Sequence, residues 1–146
     1  PDTVDGRFDM ISLHVFLILR KLNTVEKKVD GLSQCLFDTM FADMDRSLRE
    51  MGAGDLGVGK RVKAMATAFY GRLSAYEKAI ENEDSELLTL AILRNVFRGE
   101  EVRKKDAEKV AKYTNWFFLK LSHYPVEELI LGNIPTIDSI EDLYLT

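Results

Sequence analysis

The sequence predicts an all-helical fold, a single compact bundle of about five to six helices with a glycine-rich loop between the second and third. Apolar residues recur at spacings of three and four through most of the chain and almost nowhere alternate strictly, so the period is that of a helix rather than a strand. The 146 residues fall within the usual size of one domain, and the 46% that are hydrophobic suffice for a substantial core. Three prolines, nine glycines and 30% charged residues spread throughout exclude a collagen-like chain, a proline-rich linker and a long disordered tail. Residues 1–146 are therefore read as one helical domain.

The first helix is expected from Gly6 to Leu22. Phe8, Ile11, Val15, Ile18 and Leu22 form one stripe, and Leu13, Phe16, Leu17 and Leu19 add apolar surface on other sides, which places this helix centrally. The second, from Glu26 to Met51, carries Leu32, Leu36, Phe37, Met40, Phe41, Met44, Leu48 and Met51 on one side, with Gly52 as its C′ residue. Gly52 to Gly59 reads as a glycine-rich connection with Asp55 as an N-cap. The third helix follows from Val58 to Ile80. Gly71 in its interior suggests close approach of another backbone, because glycine there costs about 1 kcal/mol relative to alanine. Asp84 or Ser85 caps a fourth helix ending near Gly99, and Arg98 to Lys112 opens a fifth whose later half is aromatic. Pro125 begins a short sixth helix that Gly132 terminates. Asn133 to Thr146 are acidic, with no basic residue, and are expected to be loosely ordered.

Charge and composition remove several function classes. Twenty basic against 24 acidic residues give a net charge of −4, so the global positive field that drives nucleic-acid binding is missing. Cys35, alone, forms no internal disulfide, and with His14 and His123 it supplies too few ligands for a zinc site of common spacing. Met10 to Leu19 is too short to span a bilayer, which needs about 20 apolar residues. Asp2, Asp5 and Asp9 with no basic n-region argue against a signal peptide. The expectation is a cytoplasmic protein, at most peripheral to a membrane.

Two phosphate motifs occur in the glycine-rich stretch and fail on context. Gly52, Gly54 and Gly57 match G-x-G-x-x-G, and Gly54, Gly59 and Lys60 match part of a P-loop, but each motif needs a buried strand before it, and a helix precedes this one. Arg61 also stands where a P-loop has its magnesium-binding hydroxyl. Asp38, Asp43 and Asp45 resemble the carboxylate clusters of helical isoprenoid enzymes, yet Asp43 lies roughly 140° around the helix from Asp38, so the three do not converge. His14 reads as a satisfied boundary histidine and His123 as a cap for helix carbonyls. No nucleophile, base and orienter stand together, and no cofactor or metal is expected. What remains is binding surface. Lys60, Arg61 and Lys63 crowd the expected first turn of the third helix, where the helix dipole disfavours positive charge. The Met and Phe stripe of the second helix reads as core, or as an adaptable apolar contact.

Three blocks of sequence carry a resemblance. They are Phe37-Asp-x-Met-Phe-x-Asp-Met-Asp-Arg-Ser-Leu-Arg-Glu-Met-Gly52, Gly54-Asp-Leu-Gly-Val-Gly-Lys-Arg-Val-Lys63 and Ala68-Phe-Tyr-Gly-Arg72. With Asp5-Gly-Arg-Phe-Asp9, Leu13-His-Val-Phe16 and the weaker Tyr124-Pro-x-Glu-x-Leu129, they resemble the ubiquinol–cytochrome c chaperone family of mitochondria and alphaproteobacteria. The resemblance implies an all-helical assembly factor of the cytochrome bc1 complex that holds newly made cytochrome b, works with a small partner protein in some members, and is no enzyme. A holding chaperone needs an apolar surface flanked by charge. That surface is expected along the second and third helices, with Phe41, Met44 and Met51 as apolar contacts. Asp43, Asp45, Arg46, Arg49, Asp55, Lys60, Arg61 and Lys63 would give it polar register, and Lys60 and Lys63 would alternatively meet lipid head groups. The competing readings are a helical enzyme acting on a lipid or isoprenoid and a generic helical adapter.

Overall fold

A computed structural model of the chain describes residues 3–24 and 31–136. These residues form six α-helices and no strand: α1 (Val4–Asn23), α2 (Leu32–Glu50), α3 (Asp55–Glu81), α4 (Ser85–Val96), α5 (Lys104–His123) and α6 (Val126–Ile130). Five of them are substantial, as the periodicity predicts. The expected start of the second helix at Glu26, and the end of the acidic terminal stretch from residue 137 onward, lie outside the described residues.

Local chemistry sets the boundaries. Thr3 caps α1, its hydroxyl accepting from the Gly6 N–H at 3.1 Å, and Asp84 caps α4 by accepting from the Leu87 N–H at 2.8 Å. α2 ends in a Schellman turn: Gly52, at φ 84°, donates to the Arg49 carbonyl and Ala53 donates to that of Leu48. α3 starts earlier than expected. The connection from α2 is short, and Gly54 rather than Asp55 is the N-cap, with no side-chain capping bond. Val58 is completely buried, so anchoring it to the core draws Asp55 to Gly59 into the helix despite its glycines. α5 starts later than expected, because Arg98 and Gly99 adopt φ of 55° and 76° and a 3₁₀ turn at Glu101–Arg103 precedes Lys104.

The core has two parts. One joins one side of α1 to the C-terminal half of α3, α4, α5 and α6, around Leu13, Leu17, Tyr76, Ile92 and Leu121. The other joins a second side of α1, marked by Phe8 and Val15, and the N-terminal half of α3 to α2, around Phe8, Met44, Leu48, Val58 and Phe69. α1 packs against α2, α3, α4 and α5, as its apolar circumference predicts, and α3, about 40 Å long, runs through both parts.

Candidate partner-binding surface

The expected surface residues separate into four environments. Phe41 and Met44 are core residues and present nothing to a partner: Phe41 packs edge-on against Phe69 and beside Phe8 and Phe37, and Met44 is 2% exposed. The reason is their register with Met40 and Leu48, which turns the stripe wholly toward α1 and α3. Arg49, Asp45 and Asp55 form a clasp across the α2–α3 corner. The Arg49 Nε donates to Asp45 at 2.6 Å while Nη1 pairs with Asp55, and the two carboxylates, Asp45 foremost, hold the guanidinium above its ordinary pKa. Their charges serve the corner itself.

Arg61 points along α3 toward α1, 3.6 Å from Asp5. Asp43, Arg46, Met51, Lys60 and Lys63 are exposed, and among the described residues the three cations have no carboxylate within ion-pair distance. Because α3 begins at Asp55, Lys60, Arg61 and Lys63 sit beyond its first turn and the acidic Asp55 occupies it. The expected conflict with the helix dipole therefore does not arise.

Sequence reasoning missed Leu56. It is 96% exposed, and on α3 it precedes Lys60 by four residues and Lys63 by seven, so the three share the solvent side. Met51, 64% exposed at the end of α2, adds a second apolar side chain at the corner. Leu56 escaped notice because the stretch around it reads as a loop, where an exposed leucine has no face to belong to.

A buried polar layer was also missed, although two of its members stand in the sequence blocks quoted above. Asp9 of α1 is wholly buried and accepts from the Arg72 Nη2 of α3 at 2.6 Å. Arg98, reaching in from the left-handed turn after α4, brings Nη2 to 2.8 Å from the other Asp9 oxygen, close enough for an ion pair though not aligned for a hydrogen bond. Burial pushes the Asp9 carboxyl above its usual range, and the guanidiniums of Arg72 and Arg98 pull it back. The Arg72 guanidinium also covers the Phe8 ring, 5.0 Å from its centroid. Ser12 Oγ, Arg72 Nε, the Tyr76 hydroxyl and the Asn95 amide nitrogen are buried without a hydrogen bond of good geometry among the described residues. Burial raises the Tyr76 phenol as well. The apparent signal was an aspartate next to Phe8 on the most apolar helix, and an arginine between Phe69 and Tyr76 on a buried stripe.

No metal or catalytic arrangement emerges among the described residues. Asp38 accepts from Gln34, Asp45 from Arg49, and Asp43 faces water, so the three aspartates do not share a site. No group of three or more His, Cys, Asp or Glu residues is placed to hold a metal. His14 is satisfied as expected: its Nδ1 donates to the Met10 carbonyl at 2.7 Å, leaving Nε2 to accept from the Tyr113 hydroxyl at 2.7 Å. His123 Nδ1 bonds the Leu119 carbonyl at 3.0 Å. Gly71 has no backbone against it, since a Cβ placed there would meet nothing within 4 Å. No described helix is long and apolar enough to cross a membrane.

Comparison with known proteins agrees with the resemblance seen in the sequence. A crystal structure of the Cbp3 homolog from Brucella abortus superposes with a TM-score of 0.82 at 38% identity, over 94% of this chain and 76% of that one. The ubiquinol-cytochrome-c reductase complex assembly factor 1 of Xenopus laevis is 21% identical over 131 residues, which are 90% of this chain. The chain spans 65% of that relative's length. Residues 1–137 match the family described as Ubiquinol-cytochrome C chaperone, and the chain belongs to that family.

Proposed function

We propose that this protein is an assembly chaperone of the cytochrome bc1 complex, which binds newly made cytochrome b and holds it until partner subunits join. The family match over residues 1–137 is the observation that carries this reading. The surface chemistry is consistent with it. Exposed Leu56 and Met51 offer apolar contact at the α2–α3 corner, and Lys60 and Lys63 beside Leu56, with Arg46 on α2, add exposed positive charge that has no carboxylate partner among the described residues. Such a patch covers an apolar client segment while its charged rim sets orientation and allows release. The role requires no catalytic residue. A small partner protein and a peripheral position at the inner membrane belong to the same proposal, with Lys60 and Lys63 near anionic head groups.

The test is site-specific photo-crosslinking in cells from Leu56 and Lys60, paired with deletion of the gene. Cytochrome b should be captured from both positions, and the deletion strain should lose cytochrome b and bc1 spectra with other membrane complexes largely spared. Normal bc1 content in that strain would sink the proposal.

A further inference from the structure

A groove of about 320 Å³ lies between the first turns of α1 and the middle of α3, lined on α3 by Arg61, Ala64, Ala68 and Arg72 and completed by Asp5 and Arg98, and the wholly buried Asp9 sits behind it, paired with Arg72 and Arg98. Its donors outnumber its acceptors. Among the described residues three guanidiniums face two carboxylates, Asp5 and Asp9, the Asp5 pair is long at 3.6 Å, and Arg98 also donates to the Asn95 carbonyl at 3.1 Å. Arg72 donates to Asp9 through one nitrogen, while its Nε is buried with no partner among the described residues. A guanidinium has five N–H donors in a fixed fork, so this set calls for an acceptor from outside.

The groove lies on a track of small residues along this side of α3, with Arg61 at its edge. Gly57, Ala64, Ala68 and Gly71 fall within an arc of about 60°, and they extend over about 21 Å of helix. A Cβ at Gly57 or Gly71 would meet nothing within 4 Å, so packing inside the chain demands neither glycine. Each gives up helix propensity and leaves the backbone open to close approach.

We propose that this groove and track receive a polypeptide segment of a partner protein, lying along α3 and delivering one acidic side chain to Arg61, Arg72 and Arg98. The length of the track favours a chain over a free anion, and the excess of guanidinium favours an acid over a neutral or basic residue. The inference does not rest on the identity of the client, and the groove lies around α3 from the Leu56 face.

The experiment titrates the whole chain, labelled with nitrogen-15, against a synthetic helical peptide rich in alanine and leucine with one central glutamate. The same peptide with glutamine, inorganic phosphate and phosphatidylglycerol vesicles serve as separate arms. The Arg72 Nε–H signal should shift with the glutamate peptide, and the glutamine peptide should bind about tenfold more weakly. Arg61→Gln, at a half-exposed position, should weaken binding about tenfold, and Ala68→Leu should block it with helix content unchanged. Equal binding of the two peptides, or of wild type and Arg61→Gln, overturns the proposal. So does phosphate that shifts the same signals without displacement by peptide, and so do vesicles that occupy the groove when the peptide does not. The first two arms use the unmutated chain, so misfolding of a variant cannot mimic failure.

Discussion

Asp9 is wholly buried with a guanidinium on either side, and the two contacts differ in kind. Arg72 is itself 8% exposed and makes the aligned hydrogen bond, whereas the Arg98 side chain is half in water. Removing the Asp9 charge leaves Arg72 ionised and unpaired in the interior, so Asp9→Asn should destabilise by about 3–5 kcal/mol. Arg98→Ala leaves the buried pair standing and should cost only about 1 kcal/mol. Urea unfolding of the two variants measures the difference, and equal losses would show that Arg72 is not the main counter-charge. None of this was legible from the chain alone. Asp9 and Arg72 both appear in the motif blocks, but they are 63 residues apart, and neither periodicity nor spacing says that one side chain meets the other. Phe41 and Met44 failed in the opposite direction: a stripe of Met and Phe is compatible with core and with contact surface, and only the placement of α1 and α3 decides.

Among the elements, α3 carries most of the unexplained sequence. Three of its 27 residues, Gly57, Gly59 and Gly71, are glycines away from its cap, in ordinary helical conformation, and open space surrounds each. Filling such a position removes the entropic cost of glycine and introduces no clash, so Gly57→Ala and Gly71→Ala should each stabilise the protein by about 1 kcal/mol. Thermal unfolding followed by circular dichroism reads this directly. A loss of stability at Gly71 would mean that the helix needs the glycine for a reason internal to the chain, contrary to the open space around it. The helices themselves were readable because their stripes recur at 3.6 residues. Where glycines dilute that pattern, at Asp55 to Gly59, the sequence suggests a loop, and burial of Val58 outweighs the local preference. At Arg98 the reverse holds. Helix-forming residues run on from α4, but a left-handed turn delivers the arginine to Asp9, a conformation that tertiary contacts impose and propensity opposes.

At the scale of the whole molecule, the buried polar groups of Asp9, Ser12, Arg72 and Tyr76 stand on α1 and α3, the two helices that both parts of the core share. Phe8 and Phe69 belong to one part, Leu13 and Tyr76 to the other. α2 makes its main contacts with α1 and α3 alone, whereas α4 and α5 pack on each other as well as on α1. Buried polar groups without good partners add nothing to the joint between the halves, so α2 should open at a lower free energy than α4 and α5. Native-state hydrogen exchange should show α2 amides, from Met40 to Leu48, exchanging through a sub-global opening while the α4 and α5 amides require global unfolding. Leu48 is fully buried against the α2 side, and Leu48→Ala should lower the α2 protection by about 2–5 kcal/mol. Ile92→Ala, equally buried on the other side, should lower the protection of α4 and α5 without narrowing it selectively at α2. If α2, α4 and α5 lose protection together at one free energy in the unmutated chain, the two parts behave as one cooperative core and the polar layer is no seam. If α2 opens first, its Met40, Phe41 and Met44 become reachable beside the exposed corner only in that opened state, which ties access to the apolar stripe to the stability of the joint rather than to the surface seen in the closed fold.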